Sequence, residues 1–381
     1  MEENIMHPTL KHYVDRAVFK IADRIFPAET VAEMRHKHGW ELWIDTLTPD
    51  LLEDLTDAPQ DIKQRLFKQN VSLVEIETHA KCNRVCSFCP NAIVDRRRNQ
   101  TLADAAMLDR VFDELGQINF TGQIKIARYS EPLANKDYLY QRLASAHQRV
   151  PTAQLMIVTN TDYLKREMLA ELREVGLKIL NMSIYLRPGE HWSLEYANQY
   201  NDKLAEKLGI PIISRRETPN SVRCVFEYSG IQIHSSCMDF DNYGTDRGAV
   251  MEQYTSALRL GPCREPFSTF VIDYNGSVMP CCNLRSDIDS HKQAVVADLS
   301  VPGTSIFDIY AGRLAGWRRS MVGFEVKGSP CTTCLHRDMS ASMVPALAAR
   351  MEKHMNRAGM SQYYHPPAPQ SVIPLTQIGS D

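Results

Sequence analysis

VSLVEIETHAKCNRVCSFCP, residues 71–90, decides how this chain is read. Its first part, Val71 to Thr78, is rich in branched apolar residues and reads as a strand. Its second part places Cys82, Cys86 and Cys89 in a C-x3-C-x2-C arrangement on one short loop. Three thiolates this close can hold three irons of a 4Fe–4S cube and leave the fourth iron open. The competing reading is a zinc site completed by a distant ligand such as His79, but zinc loops rarely use this spacing.

Working outward, residues 1–70 read as helical. Leu10, Val14, Ala17, Ile21 and Ile25 recur at helical spacing. Thr48 and Pro49 pair an N-cap with a proline at the first helical position, and 61–68 predicts a further helix. After the cysteine loop, strands are expected at 123–129, 154–159 and 178–185. They alternate with helices starting at Thr101 and covering 136–150, 163–175 and 194–208. Segments 222–228 and 231–239 supply two more strands, with 210–214 as an alternative fifth. Strands alternating with helices predict parallel βα units, roughly six of them. The cysteine loop leaves the carboxyl end of the first strand, the face on which such barrels place their chemistry. Residues 251–340 break the rhythm, 345–360 predicts a terminal helix, and the proline-rich tail from His365 is expected to be disordered.

The 381 residues are 44% apolar, and charges of both signs are mixed to a net −3. That balance excludes a dedicated nucleic-acid binder and a polybasic membrane patch. The N-terminus lacks the layout of a signal peptide, and no apolar run approaches the ~18 residues that span a bilayer. A soluble, cytoplasmic protein without nucleic-acid or membrane partners is expected. Ten cysteines then read as metal or redox chemistry. Cys224 and Cys237 fall within strands and read as small hydrophobes. Cys263, the adjacent Cys281 and Cys282, and the C-x2-C pair Cys331 and Cys334 form a second group, for which a four-cysteine zinc knuckle is the plain alternative.

With Phe88 just before its third cysteine, the loop resembles the signature of the radical S-adenosylmethionine (SAM) superfamily. The resemblance implies an α/β fold, a partial (β/α)6 TIM barrel over 71–250. A helical extension (1–70) would precede it, and a small auxiliary-cluster domain (251–345) and a terminal helix and tail (346–381) would follow. It implies that Cys82, Cys86 and Cys89 ligate a 4Fe–4S cluster whose open iron chelates SAM. Reductive cleavage then gives a 5′-deoxyadenosyl radical that abstracts hydrogen from substrate. Gly276-x4-Cys281 resembles the SPASM and twitch domains of this superfamily. The cysteine count suits one fully ligated auxiliary 4Fe–4S cluster on Cys263, Cys281, Cys331 and Cys334, with Cys282 as the alternative to Cys281. Where the family usually has Gly-Gly-Glu after its second strand, this chain has Tyr129, Ser130 and Glu131. These three, with Phe88, Thr159, Asn160 and Ser183, are the SAM contacts that the resemblance implies.

Arg128, Tyr185, Arg187, Arg223, Tyr228, His234 and Asp239 all fall in or beside predicted strands. Arg223, His234 and Asp239 are taken as the catalytic candidates, able to move a proton or orient a hydroxyl. The single auxiliary cluster resembles that of radical SAM dehydrogenases of aminocyclitol biosynthesis. It implies an oxidoreductase acting on a small molecule, for instance at a carbinol carbon of a sugar or aminocyclitol, with a flavodoxin- or ferredoxin-type electron donor. The alternatives are a peptide maturase that forms crosslinks, an epimerase using a free thiol such as Cys224, Cys237 or Cys282, and a zinc-binding protein without catalysis.

Overall fold

The computed structural model describes residues 28–367 apart from 188 and 256. The stripe from Leu10 to Ile25 and the end of the tail lie outside the described residues. The strands in chain order are β1 Leu73–Ile76, β2 Gln123–Ile126, β3 Gln154–Thr159, β4 Ile179–Ile184, β5 Ser214–Thr218, β6 Ser221–Tyr228, β7 Ile231–Met238, β8 Thr269–Ile272, β9 Ser277–Met279 and β10 Ala297–Asp298. They form one sheet in the order β10-β9-β8-β1-β2-β3-β4-β7-β6-β5. Six neighbours, β8-β1-β2-β3-β4-β7, run parallel. This is the α/β partial-barrel architecture expected above, extended by antiparallel strands at both edges.

The first crossover helix, Ala105–Gln117, starts four residues later than Thr101. Asp104 caps it, its carboxylate accepting the Met107 N–H at 2.6 Å. Leu102 is drawn instead into a bridge with His79, which closes the end of the cysteine loop against its beginning. The other crossovers are the helices Lys136–Arg149, Glu167–Glu174 and Leu194–Leu208.

Four βα units follow one another, and then the pattern changes. β5, β6 and β7 pair antiparallel, and β7 alone returns beside β4. Ser229 and Gly230, with φ of 46° and 87°, make a two-residue turn with both central residues left-handed. That is the turn class whose twist suits a tight hairpin. The sixth parallel strand arrives from the other side, where β8 lies against β1 with Val74 opposite Phe270. Six parallel strands are present, but not six successive βα repeats.

Strand alternation sorts the two faces. Val74, Ile76, Ile124, Ile126, Leu155, Ile157, Leu180 and Met182 enter the helix-covered core. Glu75, Lys125, Val158, Asn181, Ser183, His234 and Ser236 face the concave side. The helix Gln60–Asn70 adds Phe67, whose ring meets those of Phe120, Phe270, Phe307 and Tyr310 at centroid separations of 5.3–6.3 Å. Thr48 and Pro49 start a helix of one turn, Pro49–Leu52, whose end is tied to Arg319 through the Leu52 carbonyl at 2.7 Å. One apolar core runs from Trp40 to Met360, so the segments we propose as units of the chain share it. The terminal helix is Val344–Arg357. No helix of the described residues is long and apolar enough to cross a membrane.

Candidate active site

The cysteine loop is fastened to the ends of β3 and β4. Arg84 grips Asp162 in a two-pronged ion pair, Nε to Oδ2 at 2.7 Å and Nη2 to Oδ1 at 2.5 Å. Its Nη1 donates to the Tyr185 carbonyl at 3.2 Å, and Asn83 Nδ2 donates to Asp162 at 2.6 Å. Phe88 stacks on Phe240, with centroids 3.9 Å apart and planes 13° apart. Burial, reinforced by neighbouring thiols, pushes Cys82 up to about 11 and Cys86 up to about 12. Cys89 is raised as well. Thiols held neutral in one loop give up their protons when a metal centre supplies positive charge, so this donor set fits the cluster its spacing suggests.

Cys82, Cys86 and Cys89 line a cavity at the carboxyl ends of β1 to β4. Behind it, Glu77 is completely buried. Its Oε1 accepts the N–H groups of Tyr129 and Ser130, both at 2.8 Å. Its Oε2 takes Arg96 at 2.8 Å, and Arg96 Nε reaches Asp287 at 2.9 Å. Arg128 contacts Asp273 at 3.1 Å, and Asp273 accepts the Ser286 N–H at 2.7 Å. Burial pushes Glu77 up to about 7, against the pull of Arg96. Removing the Glu77 carboxylate takes one of the counter-charges from the buried Arg96 and leaves the Tyr129 and Ser130 N–H groups without their acceptor. Glu77→Ala is therefore expected to lower unfolding stability by about 3–5 kcal/mol, measured as a fall in the urea midpoint, with Glu77→Asp recovering part of the loss.

Glu131 is also buried and its carboxylate is fully engaged. It accepts the Thr159 hydroxyl at 2.7 Å, the Asn160 N–H at 2.6 Å and the Leu133 N–H at 3.1 Å. Burial pushes it up to about 7, against these hydrogen bonds. It buckles the loop after β2 to the end of β3, and Asn160 Nδ2 continues to Asn83 at 2.8 Å.

The later cysteines gather on the far side. Burial and then the charges of Cys282, Cys331, Cys334 and Cys263 hold the Cys281 thiol well above its usual range. The Arg259 guanidinium staples the group, donating to the carbonyls of Gly261 at 3.2 Å, Pro262 at 2.5 Å, Cys334 at 2.9 Å and His336 at 3.0 Å. Cys282 instead lines the cavity, and its sulfur lies within 4.8 Å of ligand atoms of Glu265 and His336. Among the described residues no three cysteine sulfurs lie that close to one another.

Of the residues singled out from sequence as cofactor contacts, Phe88, Tyr129, Ser130, Glu131, Thr159 and Asn160 all line the cavity beside the three cysteines. Ser183 does not. It lines a separate open groove together with Arg223 and His234. Asp239 is buried and holds a turn, its carboxylate accepting from the backbone of Asp241 and Asn242 at 3.1 and 3.2 Å. The cavity also receives Glu75, Lys125, Arg128, Tyr185 and Arg247. Glu75 and Lys125 are register partners, each a charge inside a short apolar strand. That mismatch was the readable signal for both. Arg247, Gly248 and Ala249 have φ of 50°, 69° and 66°, three successive left-handed residues. Such strain persists where the surrounding structure enforces it. Arg247 Nη1 donates to Asn283 at 2.9 Å, while its buried Nε has no partner.

A three-cysteine loop at the carboxyl edge of a parallel sheet, beside a polar cavity, defines a radical SAM domain, and residues 76–185 match the model of the Radical SAM superfamily. That stretch, from the end of β1 to just past β4, is the part of the chain that carries the likeness to the superfamily. The chain is 32% identical over 107 residues to the S-adenosyl-L-methionine-dependent 2-deoxy-scyllo-inosamine dehydrogenase of Niallia circulans. The match takes in 28% of this chain and 42% of that protein, less than half its length. The crystal structure of BtrN in complex with AdoMet and 2-DOIA shares the fold, with a TM-score of 0.51 and 21% identity over 69% of this chain and 92% of that one. Native anSMEcpe with bound AdoMet superposes less closely, with a TM-score of 0.41 and 11% identity over 76% of this chain and 98% of its own.

Proposed function

We propose that this enzyme oxidises a carbinol carbon of a small polyhydroxylated molecule to a ketone. The observation that carries the reading is the cavity itself. Cys82, Cys86 and Cys89 border it on one side, Cys282 beside the second cysteine group borders it on another, and Arg247, Glu75 and Lys125 also line it. When bound, a 4Fe–4S cluster with SAM supplies a hydrogen-abstracting 5′-deoxyadenosyl radical, and a fully ligated second cluster supplies a one-electron acceptor. The residues of this chain have narrower tasks. Arg247 offers its unpartnered Nε to the carbinol oxygen and favours loss of the O–H proton. Glu75, paired with Lys125, takes that proton or binds a neighbouring hydroxyl or ammonium group. The Phe88–Phe240 stack forms an apolar wall beside the cysteines that excludes water. A flavodoxin- or ferredoxin-type protein is the proposed electron donor. The dehydrogenase among the relatives supports the reading.

The test is anaerobic turnover with SAM, a reductant and a panel of polyols and aminocyclitols. The expected product has lost two hydrogens, with one 5′-deoxyadenosine formed per ketone. The Cys282 thiol in the cavity favours one second reading, epimerisation. Return of the substrate inverted but not oxidised would move the assignment there.

A further inference from the structure

The open groove on the concave face has a composition that the cavity reading does not use. Ser183 on β4 is register partner to Ser236 on β7, Ser236 to Arg223 on β6, and Arg223 to Arg216 on β5. These four form one row across the sheet, each about 4.8 Å from the next. Asn181 and His234 begin the row below it. No carboxylate lines this groove. Arg215, which also lines the groove, is paired with Asp202, whereas neither Arg216 nor Arg223 forms an ion pair among the described residues. Like charges placed directly opposite on antiparallel strands destabilise the pairing. A local rule broken without compensation marks a functional position. The row ends at Ser183, two residues before Tyr185, which directly follows β4 and lines the cysteine cavity. The groove therefore lies next to that cavity along the β4 segment, two residues from it in the chain.

We propose that this row is an anion subsite for the substrate, and that the molecule oxidised in the cavity carries a phosphate monoester. Two adjacent guanidiniums match a dianionic oxyanion through paired N–H donors, which a monoanion would use less fully. The Ser236 and Ser183 hydroxyls and the His234 ring extend the set of donors. The proposal rests on the cavity being the substrate site, but its test does not involve turnover, so the loss of either reading is seen separately.

Inorganic phosphate and glycerol 3-phosphate would be titrated calorimetrically into the anaerobically reconstituted enzyme with SAM present. The wild type is expected to bind both. The Arg216→Ala/Arg223→Ala double variant should bind them about tenfold or more weakly, and Arg223→Lys should lose less. SAM affinity and the circular dichroism spectrum should not change, since both arginines are exposed. A wild type that binds neither phosphate overturns the proposal, as does a double variant that binds them equally well. Loss of SAM affinity in place of phosphate affinity also overturns it, and would make these arginines ligands of the SAM carboxylate.

Discussion

Replacing Cys82, Cys86 and Cys89 together by alanine is expected to lower iron in the reconstituted protein from about eight to about four per chain. It should also abolish 5′-deoxyadenosine formation. The three thiols share one loop whose shape is set by Arg84, Asn83 and Phe88 rather than by the cysteines themselves, so the fold should survive their loss. Metal analysis and chromatography of the nucleoside product check both parts. Retained deoxyadenosine formation would remove SAM cleavage from this loop. An iron content unchanged by the triple variant would remove the cluster from it.

Cys281 and Cys282 should behave oppositely although they adjoin in sequence. Cys281→Ser is expected to lose about four irons while the loop at Cys82 still cleaves SAM. Deoxyadenosine would then form without ketone, because the acceptor for the second electron is gone. Cys282→Ser should keep about eight irons. Its sulfur faces the cavity near Glu265 and His336, while Cys281 is grouped with Cys263, Cys331 and Cys334. Iron, sulfide and zinc content of the two variants decides the matter. About one zinc per chain at the second site in the wild type would make that site structural and strip the dehydrogenase reading of its electron acceptor.

What could be read from sequence divides according to how local the cause is. The spacing of Cys82, Cys86 and Cys89 is local, and so is the alternation from β1 to β4, so both were legible. The hairpin from β6 to β7 was also written locally, in Ser229 and Gly230 between two alternating runs, but the expectation of parallel repeats overrode it. The chemistry of Arg223 and His234 and their place in strands are legible in the sequence. Nothing local says that β6 folds back on β7, with β5 beyond it, and carries them into a groove of their own. Register across strands depends on pairing between distant segments. For the same reason Glu77 gave no sign of its role, since its partners are Arg96, nineteen residues along the same connection, and Tyr129 and Ser130 in the loop after β2. Glu131 matched the family frame, yet its carboxylate is engaged with Thr159, Asn160 and Leu133 rather than open to the cavity.

The position of β8 beside β1 has a consequence for anyone who would cut this protein into modules. β1 is an interior strand because the chain returns, nearly two hundred residues later, to cover its free side. A fragment ending near residue 250 would leave the backbone donors and acceptors of β1 bare, next to Val74 and Ile76. An uncovered apolar edge of that kind is a template for self-association. The late cysteine segment thus also serves as the sheet's guard against sticking to its own copies, and it cannot be exchanged or deleted as a detachable cassette.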